Sequence, residues 1–365
     1  MSRTRSMAGT LTPAGMGIGL ALAVAAPGAV QAQSYEVSGG HVAVYNLAGV
    51  VTVQAGRGSA VTVEVRRGGA DADELQIETG PIGDAETLRV IYPDEDISYP
   101  EMGRGSRTTV RVRDDGTFGD SDWRGRGRGY EVTISGRGRG LEAYADLTIS
   151  VPAGQSLSVY LAVGEGRVEN VDGTIVMDTQ SAPVFASGTL GSLTVDVGSG
   201  HVEVRDAQGE VDIDTGSGSV DVTNVTGRTL FIDTGSGSVS AIGVTVDDLT
   251  IDTGSGEIVA EGVASPNITL DTGSGSIELE ATDNAENIEI DTGSGEVTVA
   301  VPESFGAEVE IDTGSGGIEL DMPLTMRRWQ RDYVRGTIGD GRGRLLVDTG
   351  SGSIRILQGR RARQP

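Results

Sequence analysis

Between residues 141 and 357, apolar and polar positions alternate in short runs that return at a nearly fixed interval. The interval is marked by Asp-Thr-Gly-Ser-Gly, which occurs seven times, starting at Asp214, Asp233, Asp252, Asp271, Asp291, Asp312 and Asp348. The first six copies lie 19, 19, 19, 20 and 21 residues apart, and degenerate copies at Asp178 and Asp196 precede them at spacings of 18. One residue before each Asp stands Ile213, Ile232, Ile251, Leu270, Ile290, Ile311 or Val347, and a second aliphatic position lies two residues further back. Aliphatic residues return six and eight positions after each Asp, as in Val220 and Val222 or Ile277 and Leu279. This is period-two alternation on two short strands, with no helical period. A repeat near twenty residues predicts a solenoid in which each repeat is one coil.

Parity adds one inference. The inward positions before and after the Gly-Ser-Gly segment are an odd number of steps apart, so the chain must bend there and shift phase by one residue. Glycine supplies the backbone freedom for such a bend. The same bend then stacks coil upon coil, and the remaining residues of each repeat return the chain to its start. The expected architecture is all-β: a parallel β-helix, or β-solenoid, with coils of about 19 residues stacked about 4.8 Å apart. Aliphatic ladders fill its interior, while Thr and Ser ladders bond neighbouring turns. The Asp ladder calls for compensation, since carboxylates at that spacing repel by roughly 1 kcal/mol per pair even at the dielectric of water. Two arrangements offer it. Each Asp can accept bonds from the N–H groups of its own turn, or Ca²⁺ can sit between coils on Asp214, Asp233, Asp252, Asp271, Asp291 and Asp312.

The flanks are less regular. Arg3 and Arg5, an apolar stretch from Ala14 to Val30, and Val30-Gln31-Ala32 read as a secretory leader over residues 1–32, cut after Ala32. Downstream no second apolar run is long enough to span a membrane as a helix, so the mature chain is expected to be exported to the periplasm, the cell surface or the medium. Residues 33–140 read as an N-terminal β region, in which Leu75–Gly80 looks like a decayed coil. Residues 93–140 within it read as an Arg/Gly-rich loop. The solenoid proper is expected over 141–357, with an irregular insertion at 322–344, and a basic tail over 358–365.

Composition narrows the chemistry. The 365 residues include 57 Gly, no Cys and two His, His41 and His201. Disulfide scaffolds, zinc ribbons and His-rich metal centres are excluded, and neither His stands in a hydrolase motif. All 28 basic residues are Arg, against 53 acidic ones. Removing Arg3 and Arg5 with the leader gives a mature charge of 26 − 53 = −27. The charge is segregated: Leu141 to Asp321 carries 33 acidic residues and three Arg, namely Arg167, Arg205 and Arg228. Arg104, Arg107, Arg111, Arg113, Arg124, Arg126 and Arg128 form a basic stretch that either contacts an anionic ligand or neutralises the acidic rod. A nucleic-acid partner does not fit so acidic a chain without a stacking platform. Apolar-Asp-Thr-Gly-Ser also matches the signature of pepsin-like proteases, but those place one copy on each of two lobes, whereas seven copies at one period belong to a stack.

The leader, the lead-in Ala145-Asp146-Leu147-Thr148-Ile149-Ser150-Val151-Pro152-Ala153-Gly154, the repeated pentapeptide and Gly339-Asp340-Gly341 before the last coil together resemble one bacterial group. It is the exported β-strand-repeat family of adhesin-like proteins, a domain of unknown function, and the resemblance runs from about Ser34 to Leu357. It implies a right-handed β-helix in the bacterial envelope and brings no catalytic residues or cofactor. The expectation is a non-enzymatic, structural or adhesive surface protein whose partner is an envelope or surface component, a polysaccharide or a protein. The alternative is a β-helix that binds or cleaves polysaccharide, which would need a non-repeating carboxylate cluster.

Overall fold

The computed structural model describes residues 32–119 and 129–359. The expected leader up to Gln31, Arg124, Arg126 and Arg128, and the tail from Arg360 onward lie outside the described residues. Twenty-seven strands join one continuous sheet, wound so that each repeat contributes to two parallel ladders. The first ladder runs through Asp172–Ser181, Leu190–Val197, Gln208–Thr215, Thr226–Thr234, Thr245–Thr253, Asn267–Thr272 and Asn287–Thr292. The second runs through Val184–Ser187, Val202–Arg205, Val220–Thr223, Val239–Ile242, Ile258–Val263, Ile277–Ala281 and Val297–Val301. The β-solenoid expected from the periodicity is the fold observed.

The alternation works as its physics requires. Leu249 and Ile251 on the first ladder and Ile258 and Ala260 on the second are buried, as are their equivalents in neighbouring coils. The repeat Thr is also inward and fully buried, so the bend begins one residue later than the Asp. From Thr253 onward its hydroxyl donates to the second turn Gly carbonyl of the preceding coil, as from Thr272 Oγ1 to Gly256 O at 3.1 Å, whereas those of Thr215 and Thr234 are buried without a partner. The turn glycines answer to stacking as much as to bending: Gly256 has φ +157°, and a Cβ there would lie 2.0 Å from Gly237 O. A second corner follows the second ladder, where Asp206, Asn224 and Gly243 stack in the left-handed region.

At the C-terminal end spatial order departs from chain order. Asn287–Thr292 pairs not with Ala307–Thr313, the next coil in sequence, but with Gly343–Thr349. That strand pairs on its far side with Ala307–Thr313, and Ile354–Gln358 is likewise held between Val297–Val301 and Ile318–Asp321. The last coil in the chain is therefore intercalated between the two that precede it. The expected irregular insertion at 322–344 is largely an antiparallel hairpin, Leu324–Trp329 with Tyr333–Ile338, laid antiparallel on Ala307–Thr313. This hairpin occupies one side of the Asp312 coil and leaves the other side for the returning chain.

The N-terminal end differs from expectation in three ways. The solenoid begins well before residue 141, because His41–Ala55 is one long strand that stacks in parallel on Gln155–Glu169. Leu75–Gly80 is no decayed coil: Gln76–Ile82 runs antiparallel to Ala85–Ile91 and closes the first ladder. Gln33–Val37 and Val61–Gly68 close the second through Tyr144–Val151. Residues 93–140 are not simply a loop either, since Asp96–Ser98, Arg107–Arg113 and Gly129–Ser135 form a small separate sheet. Its apolar face consists of Ile97, Val110, Val112, Val132 and Ile134, all buried. The alternation Thr108-Thr109-Val110-Arg111-Val112 is present in the sequence but is overshadowed by the Arg/Gly composition around it.

Candidate functional site

Register fixes where the repeat carboxylates stand. Alternation turns each Asp outward between a buried aliphatic residue and a buried Thr. Strict pairing then lines Asp178, Asp196, Asp214, Asp233, Asp252, Asp271, Asp291, Asp348 and Asp312 in one unbroken column, in that spatial order. In the coils of the full pentapeptide, from Asp214 to Asp348, the expected compensation by the Asp's own turn is not what forms. Turn N–H groups are committed to neighbouring coils: Gly254 N–H donates to Thr234 O, and Gly256 N–H to Ser274 O, each at 3.0 Å. The column is thus a line of mutually repelling charges. Burial, followed by the carboxylates of Asp252 and Asp291, pushes Asp271 above the ordinary aspartate range. The same causes raise Asp348, between Asp291 and Asp312, and Asp214, beside Asp233. Among the described residues no three His, Asp or Glu side chains converge as a metal ion would require.

Both ends of the column are aromatic. Tyr160 occupies the register position of Asp178, and Tyr45 that of Tyr160. Their rings stack at 4.5 Å with 3° between planes, and Phe118 meets Tyr45 edge-on at 5.9 Å. Desolvation drives the Tyr45 hydroxyl far above its usual range, so it stays protonated. At the far end Tyr333 pairs with Asp312, and the Arg328 guanidinium lies 5.1 Å from the centre of its ring. Sequence reasoning missed these caps. Tyr160 sits 18 residues before Asp178, so sliding the repeat back one period would have found it.

Four of the candidate arginines fall within the described residues, and their settings differ. Arg107 and Arg111 project from the outer face of Arg107–Arg113, while Arg113 is buried and donates to Thr117 Oγ1 at 3.2 Å. Arg104 lies in the turn after Pro100–Met102, beside a hollow of about 450 Å³ lined also by Ser98, Arg137 and Glu142. Arg124, Arg126 and Arg128 lie outside the described residues. The three Arg between Leu141 and Asp321 are matched to acids: Arg167 to Glu165, Arg205 to Glu203 and Arg228 to Glu210. Arg167, Arg205 and Glu203 flank Phe185 in a shallow groove of about 380 Å³ on the outside of the second ladder.

A family model described as Toastrack DUF4097 matches residues 142–357. Among solved structures, one similar chain is described as a putative cell adhesion protein from Clostridium sporogenes ATCC 15579, at 10% identity and a TM-score of 0.20. The match covers 90% of this chain and 99% of that one. No curated protein matches the sequence significantly.

Proposed function

The chain belongs to the Toastrack DUF4097 family, and from that premise we propose that it is a non-enzymatic, exported β-solenoid that acts as an adhesin-like surface of the bacterial envelope. The observation that carries this reading is the outward Asp column, which repeats one environment over nine rungs rather than building a unique cluster. Enzymatic acid–base chemistry needs two carboxylates in unlike environments, whereas a repeated column supports recognition of an extended or repetitive partner. The leader pattern supports export. Removing the gene is expected to lower attachment of cells to a surface or to one another, and restoring the chain recovers it. Added protease should digest the protein on intact cells, and its amino terminus should read Gln33. Unchanged attachment in the deletion strain contradicts the adhesive reading.

A specific observation favours one second reading, polysaccharide binding. Phe185 presents a ring between Arg167 and Glu203 in a groove that Glu165, Glu169 and Arg205 also line, the combination of flat apolar face with hydrogen-bond donors and acceptors that a sugar ring requires. Phe185→Ala should then weaken retention on neutral glycans without a change in melting temperature.

A further inference from the structure

The two ladders do not end together. The first continues beyond the Asp312 coil by two strands, Tyr333–Ile338 and Leu324–Trp329, whereas the second stops at Ile318–Asp321. The surplus strands keep the register of the core. The interior column Ile290, Val347, Ile311, Val334 ends on Trp329, and the column Ile288, Leu345, Val309, Gly336 ends on Met326. Val347, Ile311 and Val334 are fully buried, yet Trp329 is 50% and Met326 63% exposed, because nothing in the second ladder faces them. The interior therefore opens at this end into a groove of about 460 Å³ lined by Leu320, Met322, Leu324, Met326 and Trp329. Its floor is the unpaired edge of Ile318–Asp321, and its depth is two strand spacings, roughly 10 Å.

The shape is that of missing rungs, and charge indicates what fills it. On the outer face of the second ladder, the intercalated rung carries Arg355 between acids, with Nη1 3.9 Å from Glu296 and Nε 2.9 Å from Glu319. Glu319 and Asp321 then stand exposed at the free edge. The next rung outward would set its own outer side chains beside these two carboxylates. A second copy of this acidic chain fits poorly, because its outermost second-ladder strand, Gln33–Val37, would bring Glu36. Arg327 and Arg328 guard the neighbouring edge of Leu324–Trp329, whereas the charged groups at the edge of Ile318–Asp321 are both acidic and so admit a basic strand. We propose that this end is a docking site for an extended segment of another protein, with alternating aliphatic and basic residues, that adds as the next strand of the second ladder and covers Met326 and Trp329. The inference rests on the fold and not on the adhesive reading.

The chain has two Trp, so in Trp123→Phe the fluorescence reports Trp329 alone. The probe is a peptide with the sequence of residues 351–358, the aliphatic–basic rung that already pairs with Ile318–Asp321 from the other side. The expected result is a saturable blue shift of Trp329 emission. A peptide with Glu in place of its Arg should bind at least about tenfold more weakly. Met326→Glu should abolish the shift and Asp321→Lys should weaken it, both with an unchanged melting temperature. No saturable shift, or equal binding of the Glu peptide, overturns the proposal. So does burial of Trp329 by concentration-dependent self-association, which would make the occupant a second copy. A shift produced by anionic vesicles and not by the peptide would assign the surface to lipid and overturn it too.

Discussion

The middle of the solenoid and its C-terminal end are built from the same pentapeptide and behave differently. From Val202 to Thr292 each coil stacks on its sequence neighbours, the two ladders advance together, and aliphatic columns are closed above and below. Beyond Thr292 the repeat continues, but the order of coils changes and the ladders end at different heights. Nearly identical coils present interchangeable stacking faces, so the repeat specifies how a coil is wound without specifying which coil lies next to it. Order in the middle comes from short connections, since a chain returning after 19 residues reaches only the adjacent level. At the end, the hairpin laid on Asp312 blocks one face and the longer connection returns the chain to the other.

The largest effect separates glycines that stack on a neighbouring coil, which both regions share, from a glycine outside the repeat at the open end. Gly256→Ala places a Cβ against Gly237 O in a backbone region costly for side chains, and should destabilise by about 4 kcal/mol. Gly317→Ala, one residue past the pentapeptide of the Asp312 coil, where other repeats carry a side chain such as Glu257 and nothing lies within 4 Å of the new Cβ, should change stability by less than about 0.5 kcal/mol. Urea unfolding of both variants checks the difference, and equal effects would erase it. Next in size are the core columns. Ile251→Ala in the closed middle should cost about 3 kcal/mol, whereas Met326→Ala at the open end of the interior should cost less than about 0.5. Calorimetry of the pair measures how completely the interior closes.

The smallest effect belongs to the Asp column. Because the folded pKa of Asp271 is raised, the folded state favours its protonated form. The penalty is present in full above the folded pKa and disappears as pH falls below the unfolded value of about 3.9. The column's contribution therefore becomes more favourable on acidification from neutrality, and Asp271→Asn should raise the urea midpoint at pH 7 and flatten that gain. After solvent screening the change should be on the order of 0.5 kcal/mol. A fall in stability at pH 7 on this substitution would show that the carboxylate has a favourable partner.

The coil, its inward residues and the bend at Gly-Ser-Gly were legible in the sequence because many near-copies reported the same geometry. Single-copy features were not. The alternation in Arg107–Arg113 was obscured by surrounding Arg and Gly. Asp214 through Asp348 were legible as a ladder, but not the fate of their turn N–H groups, which depends on contacts between coils. Tyr45 and Tyr160 escaped notice because they replace Asp in the register rather than repeat it. The intercalated coil left one trace, the 36-residue gap before Asp348, which marks an excursion without giving its direction.

That direction is open to direct measurement, since the chain has no Cys of its own and introduced pairs report adjacency without background. Asp291→Cys/Asp348→Cys and Asp291→Cys/Asp312→Cys can be oxidised in the folded protein, where only adjacent rungs bring Cα atoms within the span of a disulfide, roughly 4.4–6.8 Å. Rapid cross-linking of the 291–348 pair, with none for 291–312, is the expected result. Cross-linking of 291–312 with 291–348 remaining reduced would show that the coils stack in chain order and would contradict the intercalated arrangement.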